Sequence, residues 1–155
     1  MSAPVNGLRQ IGKIVSCANA VMARIPDWLL QLLARAAIAP TFFRSGQAKI
    51  SGFSVNDSTI FLFEHEFGMP FPVLSAHLAA LAENILPILL VVGLATRLSA
   101  LALFVMTIVI QIVAPEGFWT FHILWFFVLL YVVAKGPGPV SVDHLIERAY
   151  RNRAA

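Results

Sequence analysis

The sequence has a single cysteine, Cys17, among its 155 residues. No intramolecular disulfide can close and no Cys-x-x-Cys pair is present, so this chain alone is not expected to run thiol–disulfide chemistry. Charge is scarce as well. Only 12% of residues are charged, against roughly 25% in a soluble domain. The net charge of +3 is small, and the basic residues fall mostly outside the apolar runs, which suits anionic lipid headgroups and not nucleic acid. There is no Glu-x-x-His pair of the di-iron type, no His-x3-His, no internal repeat, no low-complexity tract and no second domain. Met1 to Pro26 lacks a continuous apolar core of about 7–15 residues and does not read as a secretory signal peptide.

What is present is apolar surface. Hydrophobic residues make up 59% of the chain, and the mean hydropathy is +0.81. A globular core of this size cannot bury so many apolar side chains, so lipid must solvate many of them. The length fits one unit with about four crossings of roughly 20 residues each. The expected fold is an all-α integral membrane four-helix bundle, up-down-up-down, with amphipathic interfacial helices at both termini.

The chain divides into a segment over residues 1–26, a spanning unit over 27–135 and a tail over 136–155. In the first segment Val5, Leu8, Ile11, Ile14, Val15, Ala18, Val21, Met22 and Ile25 recur at helical spacing between Arg9, Gln10, Lys13 and Ser16, which predicts a helix on the membrane surface. Asp27 is a candidate N-cap for a first span over Trp28–Gln47. Arg35 and Arg44 in this span are about half a turn out of phase and should point in opposite directions. Ser51–Pro72 is the longest connection and should contain a short interfacial helix. The further spans are Phe71–Gly93, Leu98–Ala114 and Phe118–Ala134, joined by tight turns at Leu94–Arg97 and Pro115–Gly117. In the second span Ser75, Ala76, Ala79, Ala80 and Ala82 form a small-residue side suited to close packing. Lys135-Gly136-Pro137-Gly138-Pro139 ends the last span, and Ser141 can cap a final amphipathic helix over Val142–Asn152.

Basic residues orient the chain. With both termini on one side, that side holds Arg9, Lys13, Arg24, Arg97, Lys135, Arg148, Arg151 and Arg153. The other holds Lys49 and the acids Asp57, Glu64, Glu66 and Glu116. The positive-inside rule places both termini in the cytoplasm of a multi-pass protein of the bacterial inner membrane.

A carboxylate in the middle of an apolar span is costly and normally has a partner. Glu83 is that carboxylate, and Arg35, at a similar depth on the antiparallel first span, is its expected partner. The pair acts either as a packing clamp or as an acid–base group serving a proton or a quinone head. Nearer the outer face, His77, Arg44, Gln111 and His122 give each of the four spans a polar group. A quinone ring fits between Trp119, His122, His77 and Phe126 better than a bis-His haem does. Both histidines also fit the plainer role of hydrogen-bonded core residues. Glu64-His65-Glu66 reads as a solvated loop and not as a metal site.

Several stretches, taken in order, resemble the DoxX family of small four-helix membrane proteins. They are Arg35, Phe42-Phe43 and Gly46-Gln47-Ala48-Lys49; Phe67-Gly68-Met69-Pro70; Glu83; Gly93-Leu94-Ala95-Thr96-Arg97 followed by Ala100; and Gly136-Pro137-Gly138-Pro139-Val140-Ser141-Val142-Asp143. The resemblance runs from about Leu29 to Asp143. Asn84-Ile85 departs from it, standing where the family commonly has small residues after the Glu, and the extension up to about Ile25 lies outside it. Members of the family are linked to quinone-dependent oxidation of sulfur compounds, to membrane complexes that deal with oxidative and thiol stress, and to operons for modified metal-binding peptides. The resemblance thus implies a redox-linked accessory subunit with a protein partner, set in membrane lipid, more readily than a stand-alone enzyme. The alternatives are a non-catalytic membrane anchor or assembly protein, including one serving a metal-binding-peptide operon, and a small proton-coupled transporter. The oligomeric state is not readable from the sequence.

Overall fold

The computed structural model describes residues 3–154, and the chain is all-α apart from one very short hairpin. Helix α1 spans Ala3–Met22 and α2 spans Asp27–Ala48. The predicted N-terminal stripe begins outside what is described: Met1 and Ser2, and the side chains of Val5 and Leu8, lie beyond it. Strands β1 (Ile50–Ser51) and β2 (Ser54–Val55) pair antiparallel, with Ile50 opposite Val55. Helix α3, Asp57–Phe61, is capped by Asn56, whose Oδ1 accepts from Thr59 N at 2.8 Å; this meets one of the orphan donors at a helix start. One turn of π-helix, Leu62–Glu66, extends it.

Helix α4 runs Pro72–Val92 and α5 runs Thr96–Val113. A 3-10 turn at Pro115–Gly117 and a π-helical turn at Phe118–His122 lead into α6, Ile123–Lys135. Helix α7 spans Val142–Ala154. Among the described residues three helical stretches are long and apolar enough to cross a membrane: Pro72–Val92, Thr96–Val113 and Pro115–Lys135. Helix α2 has 22 residues, which is sufficient length, but Gln31, Arg35, Arg44 and Gln47 lower its apolarity.

Helix α2 packs on α4, α4 on α5, α5 on α6, and α6 on α2. Between them lies a buried apolar layer of Ile38, Phe42, Leu90, Ala100, Leu103, Leu129 and Val132. Most outward side chains of α4, α5 and α6 are apolar and exposed, Leu81, Leu98, Ile112 and Phe127 among them. That is the pattern of helices solvated by lipid. The small residues of α4 divide their work. Ala76 and Ala80 are fully buried, while Ser75, Ala79 and Ala82 line a cavity described below.

Helices α2 and α4 approach closely at Gly46. A Cβ there would lie 2.8 Å from the Glu83 backbone carbon and 2.9 Å from Glu83 Cβ, so only glycine lets α2 and α4 meet. Two sequence expectations need correction. Asp27 does not cap α2: Pro26 occupies the cap position and Asp27 is the first helical residue, its charge complementing the helix N-terminus. Arg97 lies inside α5 and not in a turn, because α5 begins at Thr96. Ser141 does cap α7, its Oγ accepting from His144 N at 3.2 Å.

Candidate functional site

Arg35 is 1% exposed; its two Nη atoms donate to carbonyl oxygens, while its buried Nε has no partner among the described residues. Nη1 donates to Leu90 O at 3.2 Å and Val91 O at 3.5 Å, and Nη2 donates to Val140 O at 2.5 Å. The first two acceptors belong to the last turn of α4, whose carbonyls lack the usual donor four residues on and carry the negative end of the helix dipole; Leu90 O also accepts from Gly93 N at 3.2 Å. Gly93 then closes α4 at φ 77°; a Cβ there would meet Arg35 Nη1 and Ser141 Cβ at 2.5 Å each.

Asp143 completes this end. Its two carboxylate oxygens accept from Ala95 N at 2.8 Å and Thr96 N at 2.9 Å, and its own N–H donates to Gly93 O at 2.9 Å. A residue 47 positions away thus caps α5, stabilising Ala95 in a left-handed conformation, φ 48°, that alanine normally avoids. The Asp143 carboxyl lies below the ordinary carboxylate range. Partial burial pushes it up, and the N–H groups of Thr96 and Ala95 together with the Arg35 charge more than offset that. Gln31 adds a bond from Nε2 to Lys135 O at 3.1 Å. Arg35, the Gly93–Ala95 turn with Thr96 at the start of α5, and the Gly136–Asp143 segment, far apart in sequence, therefore form one polar knot.

Glu83 is elsewhere. Its carboxylate is 2.6 Å from Lys49 Nζ, with the two side chains 3% and 17% exposed. The Arg35–Glu83 pair expected from the sequence does not form. Arg35 engages Leu90 and Val91, seven and eight residues beyond Glu83, or about 11 Å along the helix at 1.5 Å per residue. The expectation failed because it assumed that α2 and α4 start and stop level. The Gly46 contact instead slides α2 so that its last turn faces Glu83. Lys49 bends back along that turn, donating also to Ser45 Oγ at 2.8 Å and Ser45 O at 3.4 Å. Beside the pair, Gln47 Nε2 donates to Asn84 Oδ1 at 2.5 Å and Asn84 Nδ2 to Ala80 O at 2.7 Å.

The Lys49–Glu83 pair forms part of the wall of a cavity of about 670 Å³ bounded by α2, α4, α5, Trp125 of α6 and the stretch from Leu62 to Met69 after α3. The remaining lining is mainly apolar: Phe42 and Trp125, Met106 and Ile110, with Leu62, Phe63, Phe67 and Met69 over one end. Besides Lys49 and Glu83, the polar lining side chains are Thr41, Ser45 and Ser75, and Ser75 Oγ is committed to Pro70 O at 2.8 Å. Leu78 on α4 and Val105 and Val109 on α5 line the cavity and are also exposed, at 57%, 52% and 39%. Its mouth therefore opens sideways between α4 and α5, among the lipid-facing residues. Volume and lining match small-molecule sites, which run to about 300–1,000 Å³ with few polar groups.

The outer polar residues do not assemble as expected. His122 is 5% exposed; its Nδ1 and Gln111 Oε1 are 2.7 Å apart, and its ring packs on Trp125 at 5.1 Å. His77 Nδ1 contacts Val73 O of its own helix at 2.7 Å on an exposed face. Arg44 is exposed where Arg35 is buried, and Trp119 is 81% exposed. None of these five residues lines the cavity. Among the described residues no cluster of three His, Cys, Asp or Glu side chains is placed to hold a metal, Glu64-His65-Glu66 included.

The residues that sequence reasoning missed are Lys49 as the partner of Glu83, Ser45 beneath it and Asp143 as a cap. A signal for the first was present. Ser45 and Lys49 are four apart on the face of α2 that carries Gly46 next to it, and a lysine at a span end reaches inward or outward along its own helix.

The family model described as DoxX matches residues 30–122. The match takes in Arg35, Lys49, Glu83 and the Gly93–Arg97 stretch, and it stops short of Gly136–Asp143. An uncharacterized protein of Haemophilus influenzae is similar, at 30% identity over 135 residues, which is 79% of this chain and 87% of that protein. No solved structure matches.

Proposed function

The chain belongs to the DoxX family, and from that premise we propose that it is a four-span, up-down-up-down protein of the bacterial inner membrane that holds a lipophilic ligand of the quinone type as a redox-linked accessory subunit of a membrane complex. The observation that carries this reading is the laterally open apolar cavity with the Lys49–Glu83 pair in its wall. A ligand dissolved in the bilayer reaches such a mouth without crossing water, and its polar head meets the few polar groups inside.

Several features support α2 as the remaining span. It closes the ring of helix contacts, and Gln31 Nε2, both Nη atoms of Arg35 and Gln47 Nε2 donate to protein acceptors, which lowers the cost of polar groups inside a membrane. Residues 27–135 then form the spanning unit, with 1–26 and 136–155 on the cytoplasmic face. There α1 and α7 lie in the interface, exposing Ile11, Ile14, Val15, Leu145, Ile146 and Tyr150 beside Arg9, Lys13, Arg148, Arg151 and Arg153.

The test is extraction of the protein, purified in mild detergent, with organic solvent. Quinone should be recovered at near one per chain, and Ala82→Phe, which fills the cavity, should remove it. Recovery no higher than from an unrelated membrane protein of similar size overturns the reading. Co-purification of a soluble partner with no small molecule would favour the anchor reading in its place.

A further inference from the structure

Glu83 uses one carboxylate oxygen within the protein. Oε2 takes Lys49 Nζ, and no donor among the described residues reaches Oε1. Lys49 has three ammonium protons and three acceptors around it: Glu83 Oε2 at 2.6 Å, Ser45 Oγ at 2.8 Å and Ser45 O at 3.4 Å. The pair thus offers the cavity a spare acceptor and no spare cationic donor. An ionised carboxylate only accepts, whereas the hydroxyls of Thr41 and Ser45 adapt either way.

Resting on the reading of the cavity as a ligand site, we infer that the head it selects carries an O–H donor, so that of a quinone couple it favours the hydroquinone form. A hydroxyl on the ligand meets Glu83 Oε1 in a charge-assisted hydrogen bond. A head with carbonyl or ether oxygens alone strips water from Oε1 and leaves it unpaired. That asymmetry is worth about tenfold or more in affinity, because sites built around a ligand hydroxyl reject analogues that lack it. The same rule admits a lipid alcohol, which presents the same donor on an apolar chain.

The experiment compares probes on the full-length protein in nanodiscs under argon, reading Trp125 fluorescence in a Trp28→Phe, Trp119→Phe background. The probes are decylhydroquinone, its di-O-methyl ether, decylbenzoquinone and dodecanol. The hydroquinone is expected to bind about tenfold or more tighter than the ether and the quinone, and Glu83→Gln, whose amide can donate as well as accept, to narrow that gap. Equal binding of all four heads, or tighter binding of the quinone or ether, overturns the inference and leaves the cavity a ligand site. Tight binding of dodecanol with weak hydroquinone binding keeps the donor rule and assigns the site to a lipid alcohol, overturning the quinone reading. Failure of every probe to bind overturns the cavity reading itself. The comparison of heads on the unmutated side chain stands whether or not Glu83→Gln folds.

Discussion

Lys49 Nζ lies 2.6 Å from Glu83 Oε2, and this contact, made from the last turn of α2 to the middle of α4, is the charged tie between the two helices. Removing one partner of a buried pair leaves an uncompensated charge and costs roughly 3–5 kcal/mol. Lys49 keeps some access to the surface, so the lower end of that range applies. Lys49→Met is expected to lower the melting temperature in detergent clearly. Lys49→Met with Glu83→Gln should recover part of the loss, because no lone charge remains. A double variant as unstable as the sum of the two single ones would mean that the pair is not coupled.

Gly46 decides whether that tie can form. An added Cβ would sit 2.8–2.9 Å from Glu83 atoms and 2.8 Å from Asn84 Nδ2, so Gly46→Ala forces α2 and α4 apart. Overpacking of this kind costs about 1–3 kcal/mol, more than the helix propensity alanine returns. Gly12→Ala in α1 is the control: nothing lies within 4 Å of its added Cβ, and it should be neutral or slightly stabilising. Thermal melts of the two variants side by side give opposite signs if the close approach is real.

Much of this architecture was legible in the sequence, and what was missed has a common cause. Helix positions followed from apolar run length and from Pro and Gly punctuation. The phase of Arg35 and Arg44 agrees with one being buried and the other exposed, and the Ser141 cap followed from its position. Partners did not follow. Glu83 and Arg35 were paired because both sit inside their spans, yet axial offset between helices is set by side-chain contacts such as Gly46 on Glu83, which no one-dimensional pattern encodes. The cavity was missed for the same reason: Ala79 and Ala82 read as packing residues alone, and only the fold shows that they line a cavity. Asp143 was visible as part of a motif, while its role as the cap of a helix 47 residues away depends on the fold.

Asp143 predicts an acid dependence with a definite sign. Its folded carboxyl is held below its ordinary value, by the N–H groups of Ala95 and Thr96 and by Arg35 against the push of burial. A depressed folded pKa contributes stability that is present above the unfolded value, about 3.9 for Asp, and is lost as pH falls through the folded one. Asp143→Asn should therefore melt below the unmodified protein at pH 7, and the gap should shrink as pH falls below about 4. A gap that stays constant down to pH 3 would show that the Asp143 charge does not contribute.

Cys17 tests the orientation without any engineered label. It is the single cysteine, it is exposed, and it lies on α1, at the end of the protein that carries the basic residues. In spheroplasts a membrane-impermeant maleimide should leave Cys17 unmodified, and inverted membrane vesicles should label it. Phe53 marks the other end: it is fully exposed in the loop of the β1–β2 hairpin. Phe53→Cys in a Cys17→Ser background should give the reverse pattern, labelled in spheroplasts and protected in inverted vesicles. Four spans with both termini inside require the two sites on opposite sides of the membrane. Labelling of both from the same side would reduce the spans between them to an even number and remove α2 from the bilayer. The mirror-image result would keep four spans but turn the termini outward, and would place the basic ends of α1 and α7 against the positive-inside rule.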